Sequence, residues 1–169
     1  MQLVDLLLPY QKEVVSSNSR FKVLNWGRQL GKDFTMSFMA VHKACSKKNA
    51  LVVYLSTGQR AADEALKKCL KFADAVKVLS NGAISYTSSA TCLTFSNGSR
   101  ILSLPGNASS ARGWTVDLLL LSEVAFWERA EETWQAIVPT LLNELAGGDK
   151  NLVVASTPYS KNSLFYKLV

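Results

Sequence analysis

The chain has 169 residues, 48% of them apolar, which suits one domain with a full core and no need of disulfides or metal to hold it. Its three cysteines lack a C-x-x-C spacing and it has one histidine, which argues against a zinc or diiron site and for reduced, buried thiols. The formal net charge of +6 suits a partner that carries phosphates, either a nucleotide or a nucleic acid.

Asp5, Lys12 and Glu13 do not suit a signal peptide, and no apolar run approaches the roughly 20 residues of a membrane span. Phe21–Trp26 is a short apolar run leading into glycine. Behind it, Phe34, Phe38, Val41 and Ala44 recur with a helical period. Ala50–Ser56 is nearly continuous in apolar residues, as expected of a strand covered on both faces. Gln59 to Leu79 then reads as a helix, with Ala62, Leu66, Leu70 and Ala73 on one stripe. Thr91–Ser96 and Arg100–Leu104 flank Asn97-Gly98, a hairpin signal. Val116–Leu121 is the most apolar strand and Asn151–Ser156 the last. Between them Ala130–Leu145 reads as a helix ending at Gly147-Gly148. This alternation predicts a three-layer α/β fold, with a mainly parallel sheet and an antiparallel hairpin near 91–104. The aromatic residues Trp114, Phe126, Trp127 and Trp134 read as core and interface packing.

The segment Trp26-Gly27-Arg28-Gln29-Leu30-Gly31-Lys32-Asp33 joins a strand to a helix. Glycines in such a loop let backbone N–H groups turn onto phosphate oxygens, and the new helix presents its positive end. Lys32 is then placed to reach the β and γ phosphates of ATP. The usual pattern is G-x-x-x-x-G-K followed by Ser or Thr; here Trp26 replaces the first glycine and Asp33 the hydroxyl residue. The plain alternative is a strand-to-helix turn with a surface lysine, Asp33 serving only the helix dipole.

Leu118–Leu121 followed by Ser122-Glu123 is an aliphatic strand with polar residues at its carboxyl end, where open α/β sheets place ligands. Glu123 suits activation of the attacking water, while Ser122 stands where a metal-holding aspartate is usual. Asp117 lies at the opposite end of the strand and cannot substitute. The two departures offset each other. A carboxylate from the loop (Asp33) and a hydroxyl from the strand (Ser122) offer Mg²⁺ the standard ligand types in exchanged places. A weakened or inactive site is the competing reading.

In combination these motifs resemble the large terminase subunits that package DNA into tailed-phage heads, and the match covers nearly the whole chain. Leu8-Pro9-Tyr10-Gln11 resembles the family's adenine-reading motif, and Gly27-Arg28-Gln29-Leu30-Gly31-Lys32 its deviant phosphate loop. Asp117 through Glu123, with Ala125-Phe126, is similar to its acidic strand. Ala155-Ser156-Thr157-Pro158 resembles its coupling motif, with Asn162 and Phe165-Tyr166 following.

The resemblance implies a P-loop NTPase fold of the RecA-like (ASCE) kind, using ATP and Mg²⁺ to translocate double-stranded DNA into a procapsid. It makes Gln11 an adenine reader, Arg28 a cis arginine for the γ phosphate, Arg112 a finger for a neighbouring subunit, and Ser156 and Thr157 the coupling residues. It also implies a ring of copies working with a portal and a small terminase subunit in the host cytoplasm, away from any membrane. Residues 1–169 are expected to be a single ATPase domain without the family's nuclease domain. As a fragment, that domain is expected to be a poor ATPase that does not cleave DNA. A helicase-type motor and a non-hydrolysing, nucleotide-gated DNA-binding module are the alternatives.

Overall fold

The computed structural model describes residues 3–111, 113–142 and 150–169. The apolar runs become strands: β1 (Phe21–Asn25), β2 (Leu51–Ser56), β3 (Tyr86–Ser88), β4 (Cys92–Phe95), β5 (Arg100–Pro105), β6 (Leu118–Ser122) and β7 (Asn151–Ser156). The helices are α1 (Pro9–Ser16), α2 (Lys32–Ser46), α3 (Gln59–Leu79), α4 (Ala108–Ala111), α5 (Ala130–Leu142) and α6 (Leu164–Leu168). The strands form one sheet in the order β1-β7-β6-β2-β5-β4-β3. The first five are parallel, and β4 and β3 continue the sheet antiparallel.

Every residue of β2 and β6 is buried, which is why their sequences show no polar alternation. The two faces still divide by the strand period. Val52, Tyr54, Leu118 and Leu120 face a core built with Met36, Phe38, Leu66 and Phe72 of α2 and α3. Leu51, Val53, Leu119 and Leu121 face the other layer, with Ile137 and Leu141 of α5 and Leu164 and Phe165 of α6. Helices on both faces of a largely parallel sheet make the expected three layers.

The hairpin falls where Asn97-Gly98 places it, Gly98 taking the positive φ of 85° that the turn requires. Strand β3 has no counterpart in the sequence reading, because Tyr86-Thr87-Ser88 lacks apolar alternation. Its register is set by its partner, with Tyr86 opposite Phe95 and their rings 6.1 Å apart. Among the described residues α5 runs to Leu142, and the predicted continuation to Leu145 and Gly147-Gly148 lies outside them.

The strand order positions the site. β7 lies between β1 and β6 and is parallel to both, so all three carboxyl ends emerge along one edge. At the opposite edge Asp117 accepts a hydrogen bond from Leu51 N at 2.8 Å and pairs with Lys47, tying β6 to β2.

Candidate active site

The loop from β1 to α2 turns through two left-handed residues, Gln29 (φ 61°) and Gly31 (φ 76°), before Lys32 opens the helix. The positive φ favours glycine at 31, and a Cβ there would stand 2.5 Å from Gln11 Nε2, so the Gln11 amide would have to shift. Lys32 is 6% exposed and its ammonium is fully engaged. It donates to Trp26 O (3.1 Å), Gly27 O (3.0 Å) and Thr157 Oγ1 (2.8 Å), and lies 3.2 Å from Glu123 Oε1.

Glu123 sits just past β6 in a left-handed conformation, φ 56° and ψ 41°. A non-glycine residue held there is strained, a condition that clusters at functional sites. Neighbouring groups hold it in place: its N–H donates to Ala155 O at 2.7 Å, and Oε2 accepts from Thr157 N (3.1 Å) and Ser156 Oγ (3.3 Å). Loop lysine, acidic strand end and the end of β7 thus meet at one point.

Beside this point lies a second cluster centred on Asp33. Its Oδ1 accepts from Ser122 Oγ (2.8 Å) and Tyr54 Oη (3.1 Å), and its Oδ2 from Lys68 Nζ (3.0 Å). Burial pushes the Asp33 carboxyl up, but the Lys68 charge and the bonds from Ser122, Lys68 and Tyr54 outweigh it and leave its pKa below the ordinary value. Burial, followed by the Asp33 charge, pushes the Tyr54 phenol well up, so it stays a donor.

Both clusters border a cavity of about 980 Å³, at the upper end of the ~300–1,000 Å³ of ligand clefts. Arg28, Lys32, Lys68 and Lys71 bring positive charge to its wall, against the carboxylates of Asp33 and Glu123. That excess of positive charge complements a polyphosphate.

A family model described as terminase large subunit, T4likevirus-type, N-terminal, matches residues 23–169. The chain belongs to the terminase large subunit family.

Its fold is shared with solved terminases. The large terminase ATPase domain of Thermus phage P74-26 aligns with a TM-score of 0.76 at 22% identity, over 93% of this chain and 66% of that one. The HK97 bacteriophage large terminase gives 0.74 at 16% identity, over 96% and 36%. A large terminase of a thermophilic bacteriophage, solved in complex with ADP, gives 0.68 at 14% identity, over 92% and 40%. The chain therefore spans about two thirds of the ATPase-domain structure and 36% to 40% of the two longer terminases.

Within this terminase fold the residues singled out in the sequence divide into three groups. Arg28, Gln29, Gly31, Lys32, Asp33, Glu123 and Thr157 line the cavity. Trp26, Gly27, Leu30, Ser122 and Ser156 are not part of its lining; Ser122 and Ser156 are buried, whereas Leu30 is 46% exposed. Leu30 O accepts from Tyr10 Oη (2.9 Å) and Gln11 Nε2 (3.4 Å), and Trp26 packs edge-on against Tyr10 at 5.0 Å. Gln11, expected at the adenine edge, is 3% exposed beneath the loop, and its Oε1 accepts from Leu8 N at 2.9 Å. Arg112 lies outside the described residues.

The sequence reading missed Tyr54, Lys68, Lys71, Phe34, Phe72 and Phe126. Tyr54 had a signal, being a hydroxyl-bearing side chain between the aliphatic residues Leu51–Val53 and Leu55 of a buried strand. Phe126 was read as packing; it is 36% exposed, lines the cavity and meets Tyr159 at 4.8 Å. Trp127 does pack, donating to Ser122 O at 3.0 Å, with Gly106 so close that a Cβ there would meet its ring at 2.6 Å.

Proposed function

We propose that this chain binds and hydrolyses ATP as the motor domain of a large terminase, driving double-stranded DNA into a procapsid. The observation that carries the reading is the placement of Lys32 Nζ, 3.2 Å from Glu123 Oε1 and 2.8 Å from Thr157 Oγ1, on the wall of a basic cavity. Lys32 binds the β and γ phosphates as a point charge. Glu123, 3.2 Å from that lysine, orients and deprotonates the attacking water. Arg28 stabilises charge that develops on the γ phosphate, and Arg112 does so for a neighbouring subunit's site. Thr157 bonds Lys32 through its hydroxyl and Glu123 through its N–H, so β7 registers whether a γ phosphate is present. Gln11 braces the loop through Leu30 O, and the family's adenine-reading role would require its amide to leave Leu8 N and Leu30 O.

The donor chemistry at Asp33 fits Mg²⁺. A carboxylate on the cavity wall stands 2.8 Å from the Ser122 hydroxyl, hard oxygen donors of the standard kinds in exchanged places. Asp33 and Ser122 would hold the ion, which would supply neutralisation of phosphate charge.

The P74-26, HK97 and thermophilic-phage relatives are large terminases by name, one of them holding ADP, and they support the packaging role and the nucleotide. The remaining parts of the proposal follow the family: a ring on a portal, a small terminase partner, and action in the host cytoplasm. No helix among the described residues is long and apolar enough to cross a membrane. Residues 1–169 act as one ATPase domain without nuclease activity.

Calorimetric titration of ATP into wild type and Lys32→Ala tests the site. Charge-assisted bonds of ~1.5–3 kcal/mol each predict a loss of about 100-fold or more in the variant. Equal affinities would overturn the reading.

A further inference from the structure

The loop position that normally ends in a neutral hydroxyl here carries the charge of Asp33, on the wall of the same cavity as Lys32. A carboxylate and a triphosphate on one wall repel each other unless a cation lies between them. The carboxylate cannot turn away, because Ser122 and Tyr54, both buried, fix its Oδ1 from behind. Its Oδ2 carries a cation from another element. Lys68, in the middle of α3, lies 3.0 Å away and is itself on the cavity wall.

As a contributor to folding this pair is weak. Its side chains are 40% and 38% exposed, and exposed ion pairs contribute little stability. Its importance lies in where it stands. Resting on the ATP reading above, we propose that Lys68 is a built-in counterion for Asp33, which lets ATP enter without metal and yields the carboxylate when Mg²⁺ arrives. A lysine suits that part. Its ammonium is a compact, strongly hydrated point charge on a flexible stem that can swing off a carboxylate toward solvent without moving the helix. An arginine locked in a two-pronged bond would not release so readily. The Mg²⁺ dependence of nucleotide binding is therefore set by α3 as well as by the loop.

The test is calorimetric titration of ATP, in Mg²⁺ and in EDTA, into wild type, Lys68→Met, Asp33→Asn and the double variant. In EDTA, Lys68→Met is expected to bind ATP about tenfold more weakly than wild type, because Asp33 is left uncompensated. In Mg²⁺ the same variant stays within about threefold, since the metal takes over the neutralisation. Asp33→Asn in the Lys68→Met background restores metal-free binding to within about threefold of wild type. Without nucleotide, Mn²⁺ followed by electron paramagnetic resonance binds Lys68→Met about fivefold or more tighter than wild type. Thermal melts of all four proteins serve as the folding control.

Loss that is equal in Mg²⁺ and EDTA, no change in either, or a double variant as weak as Lys68→Met would each overturn the counterion role. A wild type that binds no ATP in either medium overturns the ATP reading and this one with it. A wild type that binds, with variants indifferent to Mg²⁺, overturns this one alone.

Discussion

At the amino end of β6, Asp117 accepts a bond from Leu51 N and pairs with Lys47. At its carboxyl end Glu123 faces Lys32 on a cavity wall and takes its other bonds from Ser156 and Thr157. Both acids flank the same run of four leucines. Asp117 closes an orphaned backbone donor of the neighbouring strand, and its partners belong to the scaffold. Glu123 is held in a strained left-handed conformation on the cavity wall, with Lys32 and Thr157 beside it there. The contrast teaches that strand direction decides an acid's role more than its residue type does, because a parallel sheet directs its ligands to the carboxyl edge.

The strongest way to sharpen this contrast is to remove each acid in turn. Glu123→Gln in the assembled full-length ring should lower ATP hydrolysis by about 10²–10⁴-fold while ATP still binds, as phosphate release and calorimetry would read. Asp117→Ala should leave turnover within about twofold but cost ~1–3 kcal/mol of stability in urea denaturation, from the unpaired Leu51 N–H. If Asp117→Ala silenced hydrolysis in a folded protein, the division between the two ends would break.

A middle-sized effect comes from behind the loop. Gly31→Ala forces a side chain onto a φ of 76° and to within 2.5 Å of Gln11 Nε2. It should cost about 1–3 kcal/mol of stability and weaken ATP binding together. A Gly31→Ala protein with wild-type melting and binding would mean that the carboxyl edge is looser than this geometry allows.

The smallest effect is a pH dependence at Asp33. With its carboxyl held below the ordinary value, the ionised form favours the folded chain above about pH 4, and that contribution is lost as pH falls through the lowered folded-state value. Wild type should therefore exceed Asp33→Asn in urea midpoint at pH 7, the two converging toward pH 3. A difference that grew on acidification would contradict the lowered pKa.

Lys32, Glu123 and Thr157 were legible because each stands in a short local motif at a strand end, where sheet direction alone fixes which way it emerges. The buried strands were legible from unbroken apolar runs, and α3 from its stripe. Lys68 was not, because its partner is 35 residues away and nothing in the local pattern separates it from Lys67, which pairs with Glu64 instead. Tyr54 was passed over as one more core residue, since only the fold brings its hydroxyl to Asp33. Strand β3 was invisible for a similar reason, its pairing being imposed by β4. Gln11 was placed by resemblance at a nucleotide edge, whereas its amide here is committed to Leu8 and Leu30.

Strand β1 lies at the margin of the sheet, and its ladder partner is β7, with Phe21 opposite Leu152 and Asn25 opposite Ser156. A chain emerging from the ribosome at ~5–20 residues per second can pair β2, β5 and β6 while β1 waits. The phosphate loop is thus translated well before β7, the strand that becomes its neighbour. Premature termination before residue 151 yields a polypeptide with the loop sequence but without β7, the strand that pairs with β1.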